Sequence, residues 1–113
     1  METTSAEQLF ELFWQTLDCC GLFLLNCEPR DIEYYLFEEF DSDSITILHE
    51  NTLNRLFDEA YISVEAYPLC QLLRKKFREL EGTSLWNVEA VRTAPEWYAI
   101  LSLSDRIKGM LKG

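Results

Sequence analysis

The chain has few of the residues on which catalytic motifs are built. Its 113 residues include four glycines, three prolines and one histidine, His49. It contains no Gly-rich phosphate loop, no G-x-S-x-G nucleophile motif and no H-E-x-x-H zinc motif. One histidine is also a thin basis for acid–base catalysis. We therefore expect a binding protein and not an enzyme, with His49 in a loop or at a helix cap.

The chain also lacks a long uninterrupted apolar segment. Its longest apolar stretch, Leu9 to Leu25, contains Glu11 and Asp18, and no basic leader precedes it. A transmembrane helix needs about 20 predominantly apolar residues, and a secretory signal begins with basic ones. We expect a cytoplasmic protein without membrane contact.

The cysteines do not form a metal-binding pattern. There are four of them, and no C-x-x-C pair that would begin a tetrahedral zinc site. Without a secretory signal they are expected to stay reduced, and free cysteine behaves as a small buried hydrophobe. We predict buried thiols, no metal and no cofactor.

Apolar and aromatic residues are abundant. Hydrophobic residues make up 48% of the chain and aromatic residues 13%. Disordered acidic chains are poor in aromatic residues, and 113 residues is a common size for one domain. We expect residues 1–113 to form a single globular domain, with its acidic residues on a folded surface.

The charge is divided unevenly along the chain. Residues 1–66 contain 15 acidic residues and only two basic ones, whereas residues 67–113 contain eight basic residues and five acidic ones. The net charges of the two parts are −13 and +3, and that of the whole chain is −10. Such an asymmetry bears on partners more than on fold. It suggests a basic partner for the first part and disfavours direct binding of nucleic acid.

The sequence pattern is mainly helical. Thr4 to Glu7 has the form of a capping box before a first helix over Ser5 to Cys20, and Pro29 suits the first turn of a second helix. Asp41 to Ser44 is expected to break that helix, and Asn51 to cap a third.

Further helical signals follow in the second half. Ser63 is a candidate cap for a fourth helix that ends at Gly82, and Thr93 to Glu96 resembles a second capping box before a last helix, Ala94 to Lys112. Residues 84–92 suit either a short helix or a strand. We predict an all-α bundle of about five helices. The alternative is an α+β fold with a hairpin over Trp86 to Leu103.

The second predicted helix carries the candidate binding surface. On a helical wheel Ile32, Tyr35, Leu36 and Phe40 face inward, while Asp31, Tyr34 and Glu38 lie within about 60° of one another on the opposite side. Carboxylates steer encounter and aromatic side chains anchor an interface. The predicted contact residues are Asp31, Tyr34, Glu38, Glu39, Asp41 and Asp43. The bases Arg74, Lys75 and Arg78 are interpreted as a solvated helix face.

Three runs of sequence resemble a known family: Phe40 to Leu53, Leu72 to Glu81 and Pro95 to Ile107. They are similar to the immunity proteins of bacterial polymorphic-toxin and contact-dependent inhibition systems. The resemblance implies that the chain binds and blocks a cognate toxin, commonly a nuclease. Because contact residues vary between pairs in that family, it transfers no site residue to this chain.

The leading hypothesis is therefore an immunity protein that neutralises a basic nuclease toxin, with a monomer favoured. Two alternatives stay open. One is a phage or mobile-element inhibitor that mimics nucleic acid against a host nuclease, such as a CRISPR effector. The other is a helical adaptor or a homodimer, in which the acidic and basic parts of two copies meet.

Overall fold

Six helices follow one another in the structure, a computed structural model that describes residues 5–112. A short 3-10 helix, Leu22–Asn26, joins the first two. The described part is 78% helical and contains no strand, so the all-α prediction is confirmed and the hairpin alternative is wrong. The helices are α1 (Ala6–Asp18), α2 (29–46), α3 (Glu50–Asp58), α4 (Ala66–Leu80), α5 (Val88–Thr93) and α6 (Pro95–Lys112).

A capping box starts α1 one residue later than the sequence predicts. The Ser5 hydroxyl accepts the Gln8 amide hydrogen, and the Gln8 side chain in turn accepts that of Ser5. Glu7 is an acidic residue of the first turn instead of the closing partner. The predicted cap residue Thr4 lies outside the described residues. The box satisfies two of the amides that a helix start leaves free.

The second helix runs through the predicted break at Asp41 to Ser44. It consists of an α-helical turn, Pro29–Ile32, a π-helical segment, Glu33–Phe40, and a further α-helical segment, Asp41–Thr46. Ile32 and Phe40, at the junctions, have ordinary right-handed backbone angles. The Ser44 hydroxyl bonds to the Asp41 carbonyl, so this serine is bound within the helix instead of ending it.

The spacing of the buried residues explains the π-helical segment. Ile32, Leu36, Phe40, Ser44 and Leu48 are all fully buried, one at every fourth position. On an ideal α-helix each step of four residues rotates the side chain by about 40°, so the four residues within the helix would drift by about 120° and leave the core, while Leu48 lies in the turn after it. The wider π turn offsets this drift. The prediction that Tyr35 faces inward is wrong, because this turn places it outward, where it is 37% exposed.

Aromatic side chains fill the core between α2, α4 and α6. Trp97 is fully buried, and its indole nitrogen donates to the Leu85 carbonyl at 2.6 Å. Phe77 lies 5.8 Å from the Trp97 ring and 4.8 Å from Phe40, measured between centroids. Edge-to-face pairs of this kind add about 1 kcal/mol each beyond burial. The Phe40–Phe77 pair connects the acidic first part of the chain to the basic second part.

Several helix starts differ from the predicted ones. α3 is capped by the His49 side chain, which accepts the Asn51 amide hydrogen at 3.1 Å, so His49 is a cap and Asn51 is not. The Ser63 hydroxyl accepts the Ala66 amide hydrogen at 3.1 Å in the turn before α4, but the N-cap of α4 is Glu65 and not the predicted Ser63. Thr93 ends α5, and its hydroxyl bonds back to Glu89, so it does not form the predicted capping box.

The short helix α5 settles the open choice for the segment before α6. The Asn87 side chain caps it by accepting the amide hydrogen of Ala90 at 2.8 Å. α6 then begins at Pro95, a residue suited to a first helical turn because it has no amide hydrogen to leave unpaired.

Candidate partner-binding surface

Basic side chains from the second part of the chain fix α2 at both ends. Before its first turn, Arg92 donates to the Cys27 carbonyl at 2.7 Å. Near its last turn, Arg74 donates to the Ser44 carbonyl at 3.0 Å, and Arg78 donates to the Asp41 carbonyl at 3.3 Å. Cations are favoured at a helix C-terminus, where carbonyls lack partners. The interpretation of Arg74 and Arg78 as a solvated face is therefore wrong, while Lys75 is exposed as predicted.

Arg78 is the central residue of this junction. Its guanidinium donates to the Asp41 carboxylate at 2.6 Å and to the Ser44 hydroxyl at 3.0 Å, and it pairs with Glu81 at 3.0 Å. It also lies over the Phe77 ring, 5.3 Å from the centroid. The Asp41 side chain is 30% exposed. Asp41, a predicted contact residue, thus has a structural partner within the chain.

Asp43 is also partly engaged inside the fold. Its carboxylate accepts a hydrogen bond from the Thr16 hydroxyl of α1 at 3.3 Å. The four remaining predicted residues, Asp31, Tyr34, Glu38 and Glu39, are exposed on α2. Within residues 5–112, none of these three carboxylates forms an ion pair. They are therefore free to meet an external cation.

Three exposed aromatic side chains lie together beside these carboxylates. Tyr34, Tyr35 and Phe23 are 49%, 37% and 41% exposed. The ring centroids of Tyr34 and Tyr35 are 5.4 Å apart, and those of Tyr35 and Phe23 are 6.0 Å apart. Exposed aromatic clusters of this kind are typical of protein interfaces. We name the surface the aromatic-acidic face; it consists of Phe23, Asp31, Tyr34, Tyr35, Glu38 and Glu39.

Polar residues of α6 position Phe23 at the edge of this face. Ser104 and Lys108 donate to the Cys20 carbonyl at 2.7 and 3.1 Å, and the Asp105 carboxylate accepts the Leu22 amide hydrogen at 3.0 Å. The chain passes so close to Asp105 that a Cβ atom at Gly21 would lie 2.5 Å from its Oδ1. The end of α1 and the start of the 3-10 helix are thus both held by α6.

Sequence reasoning missed Phe23 and Tyr35 as parts of this face. Phe23 belongs to the apolar connector between α1 and α2. This segment has no alternation of polar and apolar residues from which an exposed side could be identified. A wheel with 3.6 residues per turn places Tyr35 on the core side, because it does not include the wider π turn. The four-residue spacing of the buried positions was the signal that the helix is wound differently.

Burial makes Cys19, Cys20 and Cys70 difficult to ionise. All four cysteines are free; Cys20 and Cys70 are buried as predicted, whereas Cys19 and Cys27 are half-buried. Burial, followed by the nearby carboxylates of Glu39 and Asp43, raises the pKa of Cys19 to about 11. Burial also raises the pKa of Cys20 and of Cys70 to about 12. A thiolate is the nucleophile and the metal ligand, so these groups are poorly suited to either role at neutral pH.

Nowhere in residues 5–112 do three His, Cys, Asp or Glu side chains converge in a way that could hold a metal ion. None of the helices in this range combines the length and the apolar character that a membrane span requires.

Comparisons with known proteins give no relative. No protein-family model matches the chain, and neither the curated proteins nor the solved structures contain a match to it.

Proposed function

We propose that the chain is a cytoplasmic immunity protein that binds and neutralises a basic nuclease toxin through the aromatic-acidic face. The observation that carries the proposal is the contact of Phe23, Tyr34 and Tyr35 at the surface, next to exposed carboxylates. Aromatic anchors supply most of the affinity of an interface, and surrounding charges speed encounter. Both elements are present on one side of α2.

The charge of the chain supports a basic partner. Asp31, Glu38 and Glu39 add local negative potential to a chain with a net charge of −10. A nuclease groove that holds phosphates is positively charged, so carboxylates can occupy it in place of substrate. Attraction over distance raises the association rate, which matters when the partner is toxic.

The attachment of α2 supports a preformed interface. Arg74, Arg78 and Arg92 fix both ends of the helix, and α6 fixes the connector that carries Phe23. A surface that is already ordered loses less conformational entropy when it binds. We expect the backbone of the face to change little between the free and the bound chain.

The test uses the chain as bait for proteins of its native cells, followed by kinetics with the purified partner. The variant is Glu38→Lys with Glu39→Lys. The matched control is Glu7→Lys with Glu11→Lys, which makes the same change in net charge at exposed positions of α1. We expect the α2 variant to slow association about tenfold or more at low salt, and the control to slow it much less.

Two further measurements test the function itself. The recovered protein should be a nuclease whose activity is blocked by an equimolar amount of the chain. Tyr34→Ala should raise its dissociation rate about tenfold or more, as expected for an anchor. If the two charge variants slow association equally, only the net charge of the chain matters and the aromatic-acidic face has no special role. If Tyr34→Ala leaves the dissociation rate unchanged, the face is not part of the interface.

A further inference from the structure

An open apolar groove lies where the end of α3 meets the start of α4. Its volume is about 410 Å³. Val64, at 66%, is the most exposed large apolar side chain in the described part of the chain, and Phe57 is 39% exposed. The rings of Phe57 and Tyr67 meet edge to face, with centroids 5.4 Å apart. The groove is lined by Asn54, Phe57, Asp58, Val64, Tyr67 and Pro68.

The turn beneath the groove has a defined hydrogen-bonded geometry. Tyr61 donates its amide hydrogen to the Leu56 carbonyl at 2.8 Å, and Ala60 donates to the Phe57 carbonyl at 3.0 Å. This is a Schellman motif, in which Ala60 adopts the left-handed conformation at φ 66°. Together with the hydrogen bond from the Ala66 amide to the Ser63 hydroxyl, it holds the segment carrying Val64 at both ends. Val64 is therefore exposed on an ordered turn.

The charges around the groove are acidic. Asp58 lines it, Glu59 follows at the end of α3, and Glu65 follows Val64; all three are exposed. Within residues 5–112 none of the three forms an ion pair, not even with Arg55 one turn earlier. Carboxylates at a helix C-terminus face the negative end of the helix dipole, which disfavours them. A cation placed here would interact favourably with the carboxylates and with the negative end of the helix dipole.

We propose that this groove binds a basic peptide segment of a partner protein, with one apolar side chain of the segment between Val64 and the Phe57 and Tyr67 rings. Lysine or arginine residues flanking that side chain pair with Asp58 and Glu65. The groove is formed by α3 and α4, so the proposal goes beyond the aromatic-acidic face and does not depend on it.

The test is a titration of isotope-labelled chain, followed by amide NMR, with a short synthetic peptide. The probe has one central leucine flanked by lysines. One control peptide replaces the leucine with glycine, and another replaces the lysines with glutamates. We expect saturable shifts at the amides of Val64 and Tyr67 with the probe, and binding at least about tenfold weaker for either control.

Variants at the groove separate its two components. Val64→Lys should weaken probe binding about tenfold, and Asp58→Asn with Glu65→Gln should weaken it and flatten its salt dependence. Each position is exposed, so these variants are expected to fold as the parent does. Tyr34→Ala, on the aromatic-acidic face, should bind the probe unchanged and so separates this proposal from the proposed function.

Several outcomes would overturn the inference. Equal binding of the glycine peptide would mean attraction to net charge alone, and equal binding of the glutamate peptide would mean an apolar patch with no charge preference. Shifts confined to residues 31–39 would assign the probe to the other face. Shifts at the groove on simple concentration of the free chain would identify a second copy as its occupant.

Discussion

The ion pair between Asp41 and Arg78 allows a sharp test of whether a predicted contact residue is structural. Replacing Asp41 with alanine removes the carboxylate 2.6 Å from the guanidinium and leaves Arg78 with the Ser44 hydroxyl, a carbonyl and the exposed Glu81. Hydrogen bonds to charged groups contribute about 1.5–3 kcal/mol. Since Arg78 and Asp41 are only 20% and 30% exposed, we expect Asp41→Ala to lower the free energy of unfolding by about 2 kcal/mol.

Urea unfolding of a double-mutant cycle measures this contribution. Arg78→Met should cost about 3 kcal/mol, because it also removes donors from Ser44 and the Asp41 carbonyl. The double variant should show a coupling energy of about 1.5 kcal/mol. The matched control Glu38→Ala, on the same helix but exposed and without an ion pair in the described part, should stay within about 0.5 kcal/mol.

The refuting result is a coupling energy close to zero with a loss in Asp41→Ala no larger than that of the Glu38→Ala control. Arg78 would then have no special role in fixing α2, and Asp41 would return to the set of candidate contact residues. The aromatic-acidic face would also lose the rigid support on which its preformed geometry depends.

Two further predictions concern stability. Ala60→Gly should stabilise the chain by about 1 kcal/mol in urea unfolding, because glycine relieves the left-handed strain, whereas the control Ala99→Gly inside α6 should destabilise it by a similar amount; losses in both would contradict the turn geometry. Burial raises the folded-state pKa of Cys20 and Cys70 to about 12, so stability is complete below the unfolded thiol pKa near 9 and falls as pH rises from there toward 12. The free energy of unfolding should fall less steeply with pH in a variant with both thiols replaced by alanine. An unchanged slope would contradict the claim that these thiols cause the pH dependence.

Fold class was accessible from the sequence because it depends on local patterns. Proline at a first helical turn, polar caps and apolar periodicity act over a few residues, and they located the helices to within a few positions. Two of the errors fall at helix starts, where a polar side chain has more than one local hydrogen-bond partner within reach. His49 takes the capping position assigned to Asn51, and the Thr93 hydroxyl donates back to the Glu89 carbonyl instead of capping α6.

The candidate surface was only partly accessible. The exposure of Asp31, Tyr34, Glu38 and Glu39 follows from which side of α2 is apolar, and a wheel can find that. Phe23 joins Tyr35 only after α6 has positioned the connector, through bonds spanning more than 80 residues of sequence. No pattern within a short window contains that information.

The charge division is where sequence and structure separate most clearly. The sequence alone established a strongly acidic first part, mainly helical segments and enough aromatic residues for a core. The tertiary structure decided which groups the basic residues of the second part contact. They donate to backbone carbonyls of the acidic part, and they are Arg74, Arg78, Arg92 and Lys108. The physical reason is that helix ends expose unpaired carbonyls, and only the packed fold determines which cation reaches them. The carboxylates left without such partners on α2 are those available to another protein.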